Sequence, residues 1–402
     1  MSKVNFFVGG FPVLSETFVI NQVAAILESG IDTKVISMFP GIAGEGHPAV
    51  KKHDLLNKRL LAYSGIDKKS RIKDIIKAIT TDVTSLKWNR LIWLMRAGHD
   101  GYMLGREFES IQGLVICHFG PMGADLAVLK NKGVIKDIDI ITVFHGFDMS
   151  AYSLLEEYKE RYELLFDEGK WMLPVSDFWK ERLITLGCSR DKILTQRMGV
   201  NSESFIYQER YSQRTFDNNE INLICVCRFV EKKGVPVLLK ALSVLPEKYK
   251  LTLVGNGELQ SEVEQEVQAL EIGTRVDMTG SLSSDQVAQR LSTSDAFVLP
   301  SVTARDGDME GVPVALMEAM AQGLLVFSTY HSGIPELIEH GSTGFLAEEK
   351  DHIELANNIR YAFEELAPEA RQSIAEQAKC KVANEFNLNK LNSELVELIS
   401  NS

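Results

Sequence analysis

Glu310 and Glu318, with seven residues between them, lie in the run DMEGVPVALMEAMAQG (308–323), just downstream of a short apolar stretch. Pro313 suits the opening turn of a helix, and Gly311 allows the backbone to approach a ligand closely. The free N–H groups at such a helix start, around Val312 and Pro313, form a ready site for an anion or a hydroxyl. Glu318 then falls about five residues into the helix, roughly 8 Å along its axis, while Glu310 precedes it. Carboxylates so separated are poorly placed as an acid–base pair on one centre. They suit two sugars, a ribose and a hexose, joined by a diphosphate. The ordinary alternative is a solvated loop carboxylate and a helix-surface charge.

A second cluster, RFVEKKG (228–234), places Arg228 and Lys233 at a turn between an apolar run and a helical one. Two cations at a strand–turn–helix corner can clamp a diphosphate and stabilise charge on it as it departs, each charge-assisted hydrogen bond contributing roughly 1.5–3 kcal/mol. Two surface cations would read the same in isolation. No GxxxxGK is present, so the corner is not a P-loop. His145 in VFHGFD and His118 in ICHFG each end an apolar run, where a catalytic and a structural histidine look alike. Asp306-Gly307-Asp308 spells a D-x-D, but the nearby cations already supply positive charge, and no metal is expected there.

These residues need elements to hold them. Apolar, β-branched runs at 4–8, 33–38, 114–118, 140–144, 172–175 and 193–197 predict strands in the first half. Runs at 222–227, 250–254, 275–279, 296–299 and 325–328 predict strands in the second. Between them, 17–28, 235–245, 259–270, 284–291 and 313–321 have helical periodicity. Such alternation predicts α/β architecture with parallel sheets covered on both faces. The polar stretch 207–220 reads as a linker. The expected division is 1–206, the linker 207–220, 221–378, and a helical segment 379–402 that crosses back to the first domain. Ligands of open α/β sheets bind at the carboxyl ends of the strands, which places the site in the crevice between two doubly wound domains.

Composition narrows the function classes. A net charge of −12 argues against nucleic acid as the partner. The charge is uneven: segment 51–106 carries 13 basic and five acidic residues. Trp88 and Trp93 lie among those cations, which suggests a face resting on an anionic inner-membrane surface, with a solvated helical insert as the alternative. Vesicle flotation at low and high salt separates the two. Five cysteines without framework spacing, including Cys225 and Cys227 on one strand face, read as buried thiols in a reducing compartment. Cytoplasm is therefore expected, peripheral to the inner face of the plasma membrane if the basic segment binds there.

Taken together and in order, the motifs resemble retaining family-4 glycosyltransferases of the GT-B fold. Glu310-x7-Glu318 is similar to that family's E-x7-E signature, and Arg228 with Lys233 to its diphosphate pair. Gly255, Asn256 and Gly257 resemble its VGxGE turn. Thr279, Gly280, Ser281 and Leu282 resemble the segment whose backbone reads the nucleotide base, and GIPELIEHGSTGF (333–345) its GxPExxxxGxxGF stretch. The resemblance implies Glu310 at the donor hexose, Glu318 at the ribose, Arg228 and Lys233 at the phosphates, and His145 near the reacting sugar. FPVLSETFV (11–19) looks like transferases that build bacterial exopolysaccharides such as colanic acid. Many family members carry a glycine pair where this chain has Ser15 and Glu16; Gly9 and Gly10 are the other glycines near that loop. Ser15, Glu16 and His118 are expected on the acceptor side.

The implied activity is transfer of a hexose, with retention and without a metal, from a nucleoside diphosphate sugar to a glycan or lipid-linked acceptor. A nucleotide-sugar epimerase or another GT-B enzyme is the alternative, and a non-catalytic nucleotide-sugar-binding protein lies outside enzymes altogether. A nicotinamide dehydrogenase would need a third glycine where Gln260 stands.

Overall fold

The computed structural model describes residues 3–13, 16–41, 44–61, 111–133, 135–212 and 220–401. Ser15, most of the basic segment 51–106 and part of the stretch 207–220 lie outside them.

Two six-stranded parallel sheets form the molecule. The first comprises β1 (Val4–Phe11), β2 (Thr33–Pro40), β3 (Arg59–Leu61), β4 (Gly113–His118), β5 (Ile138–Phe144) and β6 (Trp171–Pro174), in the order β3-β2-β1-β4-β5-β6. The second comprises β7 (Ile221–Val226), β8 (Tyr249–Val254), β9 (Val276–Gly280), β10 (Ala296–Val298), β11 (Leu325–Thr329) and β12 (Phe345–Ala347), in the order β12-β11-β10-β7-β8-β9. Numbered from its own first strand, each sheet has the same order, with one switch point between β1 and β4 and another between β7 and β10. The strands read as continuous apolar runs because helices cover both faces: Val4, Phe6, Phe7 and Val8 of β1, and all of β11, are buried.

Each sheet has its own apolar core. The helix Leu388–Ser400 departs from this division. Its Leu395 and Ile399 lie in the core of the first sheet, although the preceding helix Pro368–Glu385 packs on the second. The crossing is fixed by Val200, whose N–H donates to Phe386 O and whose carbonyl accepts from Leu388 N. Tyr211, fully buried, anchors the chain to the second core. Its hydroxyl donates to Asp295 O (2.6 Å) and accepts from Leu325 N (2.8 Å).

Several local expectations need correction. Residues 193–197 do not form a strand; Ile193 makes one isolated bridge to Met172, and Arg197 turns away into an ion pair with Asp177. The strands β3 and β12, three residues each, are too short to show a pattern of their own. Pro313 caps the helix Val314–Ala321 rather than occupying its first turn. Cys225 and Cys227 do share a strand face, with their sulfurs 3.7 Å apart, but Cys380 is exposed on a helix and not a buried thiol. Among the described residues, no helix is long and apolar enough to cross a membrane.

Candidate active site

The chemistry gathers at the two switch points, which face each other. Arg228 follows β7, and the loop carrying Glu310 follows β10. Opposite them, Glu16 follows β1, His118 ends β4 and His145 follows β5.

The cationic corner depends on glycines. Gly234, in the left-handed region at φ 65°, leads into the helix Val235–Val244, and a Cβ there would lie 1.9 Å from Pro300 O. Gly255, at φ 128°, packs against Cys227 so closely that a Cβ would lie 1.9 Å from its carbonyl oxygen. Asn256 O accepts from Phe229 N (2.8 Å), and a Cβ on Gly257 would meet Phe229 O at 2.4 Å. The glycine turn is therefore the rear wall of the 228–234 corner. It is also tied to the next segment, since Gly255 N donates to Gly280 O. Ser281 and Leu282 continue from there to the capping box formed by Ser283 and Gln286.

Lys233 reaches back from this corner to Glu310, Nζ to Oε2, at 2.8 Å. Lys232 pairs with Asp308 at 2.9 Å and lies 3.9 Å from Glu310 Oε1. Burial pushes the Glu310 carboxyl upward, but the two lysine charges outweigh it and hold the group below the ordinary glutamate range. The Asp308 end of the D-x-D is thus occupied by an ammonium. Arg228 stays exposed, facing the cleft. Burial raises the pKa of Glu16 in the first domain, and the Arg228 charge opposes that rise, so these two face each other across the gap.

On the opposite wall, His145 Nε2 and His118 Nδ1 are 3.0 Å apart. His118 is fully buried behind His145, not on the cleft surface, and so bears on an acceptor only through its neighbour. Burial drives its pKa down to about 3 and that of His145 well below the usual value, so both rings are neutral near pH 7. Phe18 and Phe119 pack at 4.5 Å and 4.6 Å from the His145 ring. The turn that carries His145 is held by Asp148, also fully buried. Its carboxylate accepts from Gly120 N (2.8 Å), His145 N (2.9 Å) and Gly146 N (2.9 Å). Burial raises its pKa to about 6 against the pull of those N–H groups.

The two walls touch. A Cβ on Gly146 would lie 2.8 Å from Gly311 N, and one on Gly311 would lie 2.5 Å from His145 O. Trp179 Nε1 donates to Glu310 O (3.1 Å), and Met309 N to Ser150 Oγ (3.0 Å). Further along the same seam, Glu336 accepts from Asp177 N (3.1 Å) and Phe178 N (2.8 Å), at the start of the helix Asp177–Thr185, and pairs with Arg197 at 3.2 Å.

Glu318 sits on its helix facing a cavity of about 600 Å³ that Thr17, Phe18, Asn21, Ser284 and Val314 also line. Burial raises its pKa to about 7. Because the folded value lies above the ordinary glutamate value of 4.5, the unfolded chain ionises first, and stability falls as pH climbs from about 4.5 to 7. Glu318→Gln is therefore expected to stabilise the protein at pH 8 by roughly 2–3 kcal/mol and to leave it unchanged at pH 4. Melting curves at the two pH values check this; equal shifts at both would refute it.

The structure thus brings Lys233 onto Glu310, Glu310 and Gly311 onto the His145 turn, and Glu16 opposite Arg228. Glu318 is not brought onto this cluster: the cavity it lines takes in Phe18, which packs on His145, but not Arg228, Lys233, His145 or Glu310. Sequence reasoning missed Lys232 and Asp148, and it marked Glu336, in the 333–345 stretch, without giving it a role. The Lys232-Lys233 doublet and the aspartate three residues after His145 were visible signals; nothing in the sequence marks a partner for Glu336.

Comparison with known proteins places the chain in a family. Residues 208–381 match the family described as "Glycosyl transferases group 1". The colanic acid biosynthesis glycosyltransferase WcaL of Escherichia coli is 35% identical over 410 residues, 99% of each chain. The amylovoran biosynthesis glycosyltransferase AmsK of Erwinia amylovora is 34% identical over 409 residues, again 99% of each. Among solved structures, Anabaena HepE in complex with UDP superposes with a TM-score of 0.74 at 18% identity over the whole of both chains. That likeness extends the GT-B fold to both domains. With paired switch points, a cationic corner on Glu310 and full-length relatives at this identity, the chain belongs to the group 1 glycosyltransferases.

Proposed function

We propose that the protein transfers a hexose from a nucleoside diphosphate sugar, with retention of anomeric configuration, to a glycan or lipid-linked acceptor during exopolysaccharide synthesis. The observation that carries this reading is the contact of Lys233 with Glu310 at the second switch point, directly against the His145 turn. Arg228 and Lys233 would take the diphosphate, with Gly311, Val312 and Pro313 presenting the start of the helix to it. Glu310 would then face the hexose and Glu318 the ribose. A neutral His145 can accept or donate a hydrogen bond to a sugar hydroxyl without bringing charge into the cleft. Loss of the diphosphate leaves positive charge on the sugar carbon, which the carboxylate of Glu310 would stabilise if it faces the hexose.

The names of the full-length relatives support the polysaccharide context, and HepE structures containing UDP and UDP-glucose support a nucleotide sugar as donor. Lys232 on Asp308 supports a reaction that needs no metal, which turnover unchanged by EDTA would bear out. The deciding experiment is a panel of UDP-, GDP- and ADP-sugars scored for thermal shift and for release of nucleoside diphosphate. One nucleotide class should raise the melting midpoint through its binding to the folded state. If no member of the panel shifts the midpoint or is consumed, the proposal is wrong.

A further inference from the structure

Glu310 is held by its backbone as well as by Lys233, and the residues that hold it form a line through the second domain. Its N–H donates to His331 Nε2 (3.0 Å). Its carbonyl accepts from Ser332 Oγ (2.6 Å) and from Trp179 Nε1 (3.1 Å). Consecutive residues, His331 and Ser332, thus grip both polar groups of one residue's backbone. Ser332 has a left-handed φ of 52°, a conformation that is unfavourable for a residue with a Cβ by roughly 1–2 kcal/mol.

His331 is fully buried just after β11. Because Nε2 accepts from a peptide N–H, it carries no proton, and in the neutral ring Nδ1 must carry it. Nδ1 lies 2.6 Å from Glu349 Oε1. Glu349, just after β12, also accepts from Thr303 N (2.7 Å) and Thr303 Oγ1 (3.1 Å). Thr303 lies early in the loop that leaves β10, and Glu310 lies near its end. Thr303, Glu349, His331 and Glu310 therefore form one strut whose middle members lie just past the ends of neighbouring strands of the sheet. A carboxylate on one ring nitrogen fixes the tautomer and orientation of the other, as carboxylates do for metal-binding and catalytic histidines.

We propose that His331, oriented by Glu349, is a positioning residue that sets where the Glu310 carboxylate stands relative to the donor sugar. The loop between β10 and the helix Val314–Ala321 has no strand or helix to fix Glu310, and the strut supplies what regular structure would have supplied. This assignment rests on the reading that Glu310 faces the hexose.

The test uses the full chain and the nucleotide sugar of the panel above that it turns over fastest. His331→Phe removes the acceptor while keeping a ring, whereas His331→Gln retains an oxygen to accept from Glu310 N–H and an amide to donate to Glu349. His331→Phe should lower kcat by about 100-fold with donor KM within about threefold of wild type, and His331→Gln should recover to within about fivefold. Glu349→Gln, which keeps the buried ring, should lose about tenfold in kcat and guards against a misfolded phenylalanine variant. Equal losses in the phenylalanine and glutamine variants would overturn the assignment, because packing rather than the hydrogen bond would then be at work. So would a parallel fall in nucleoside diphosphate affinity and melting temperature in both His331→Phe and Glu349→Gln. Wild-type kcat in His331→Phe beside an inactive Glu310→Gln would remove only the strut. Wild-type kcat in Glu310→Gln would remove the reading beneath it.

Discussion

Lys233→Ala and Glu310→Gln are each expected to reduce kcat/KM by a factor on the order of 100 to 1000, the range found when one group that stabilises transition-state charge is deleted. Their effects on stability should differ. Lys233→Ala leaves a carboxylate that is only 8% exposed with Lys232 at 3.9 Å as its nearest cation. Breaking such a pair from one side destabilises by about 3–5 kcal/mol in buried cases. The Glu310 pKa would rise, because the largest opposing charge is gone and burial remains. Glu310→Gln keeps the shape and an amide oxygen for the ammonium, but it leaves Lys233, 16% exposed, without its carboxylate, so it should melt below wild type by less than Lys233→Ala does. The double variant Lys233→Met/Glu310→Gln should regain stability without regaining activity. Release of nucleoside diphosphate and thermal melts measure both quantities, and near-normal turnover in the two single variants would end the assignment of this corner.

Gly311→Ala should have an effect of similar size by a different route. Gly311 does not need a left-handed backbone, so the added methyl brings no conformational strain of its own. It would, however, sit 2.5 Å from His145 O, in the other domain, and backbone cannot yield as a flexible side chain would. The domains would be wedged apart at the candidate site. A displacement of about 1 Å there can lower turnover 100-fold, while the cationic corner itself is untouched. We expect kcat to fall by about that factor and titrations of nucleoside diphosphate to give an unchanged affinity. Full activity in Gly311→Ala would show that the two walls need not meet for the reaction. Gly146→Ala is less clean, since Gly146 has a φ of 120° and strain would add to the wedge.

Much of this was legible in the chain itself. The apolar runs gave both sheets because buried parallel strands are apolar on both faces, and the helix Thr17–Glu28 falls where its periodicity placed it. Local signals failed where tertiary contacts decide. Residues 193–197 are as β-branched as a strand, yet Arg197 is recruited to Asp177 and Glu336. β3 and β12 exist because neighbouring strands offer an edge, not because their sequences demand it. At the site, the spacing of Glu310 and Glu318 was readable, as was the cationic pair. His331 and Glu349 were not, nor was the role of Glu336 within its motif, because each acts on a residue at least 18 positions away. Gly255 and Gly257 were read as part of a ligand turn, and the structure adds a second reason for them in their packing on Cys227 and Phe229.

The bonds made by Glu336 bear on how the enzyme empties itself. One carboxylate ties two amides and a guanidinium of the opposite domain, at the rim rather than at the reaction centre. Any hinge motion that widens the crevice along this edge has to sever all of them together, so under the proposed reaction the spent nucleotide is expected to depart in a single concerted release, not a gradual slackening. Part of that fastening is ionic and partly bathed by solvent, so dissolved salt weakens it. Under the proposed reaction, product dwell time is expected to shorten as ionic strength rises, from a rim away from Glu310.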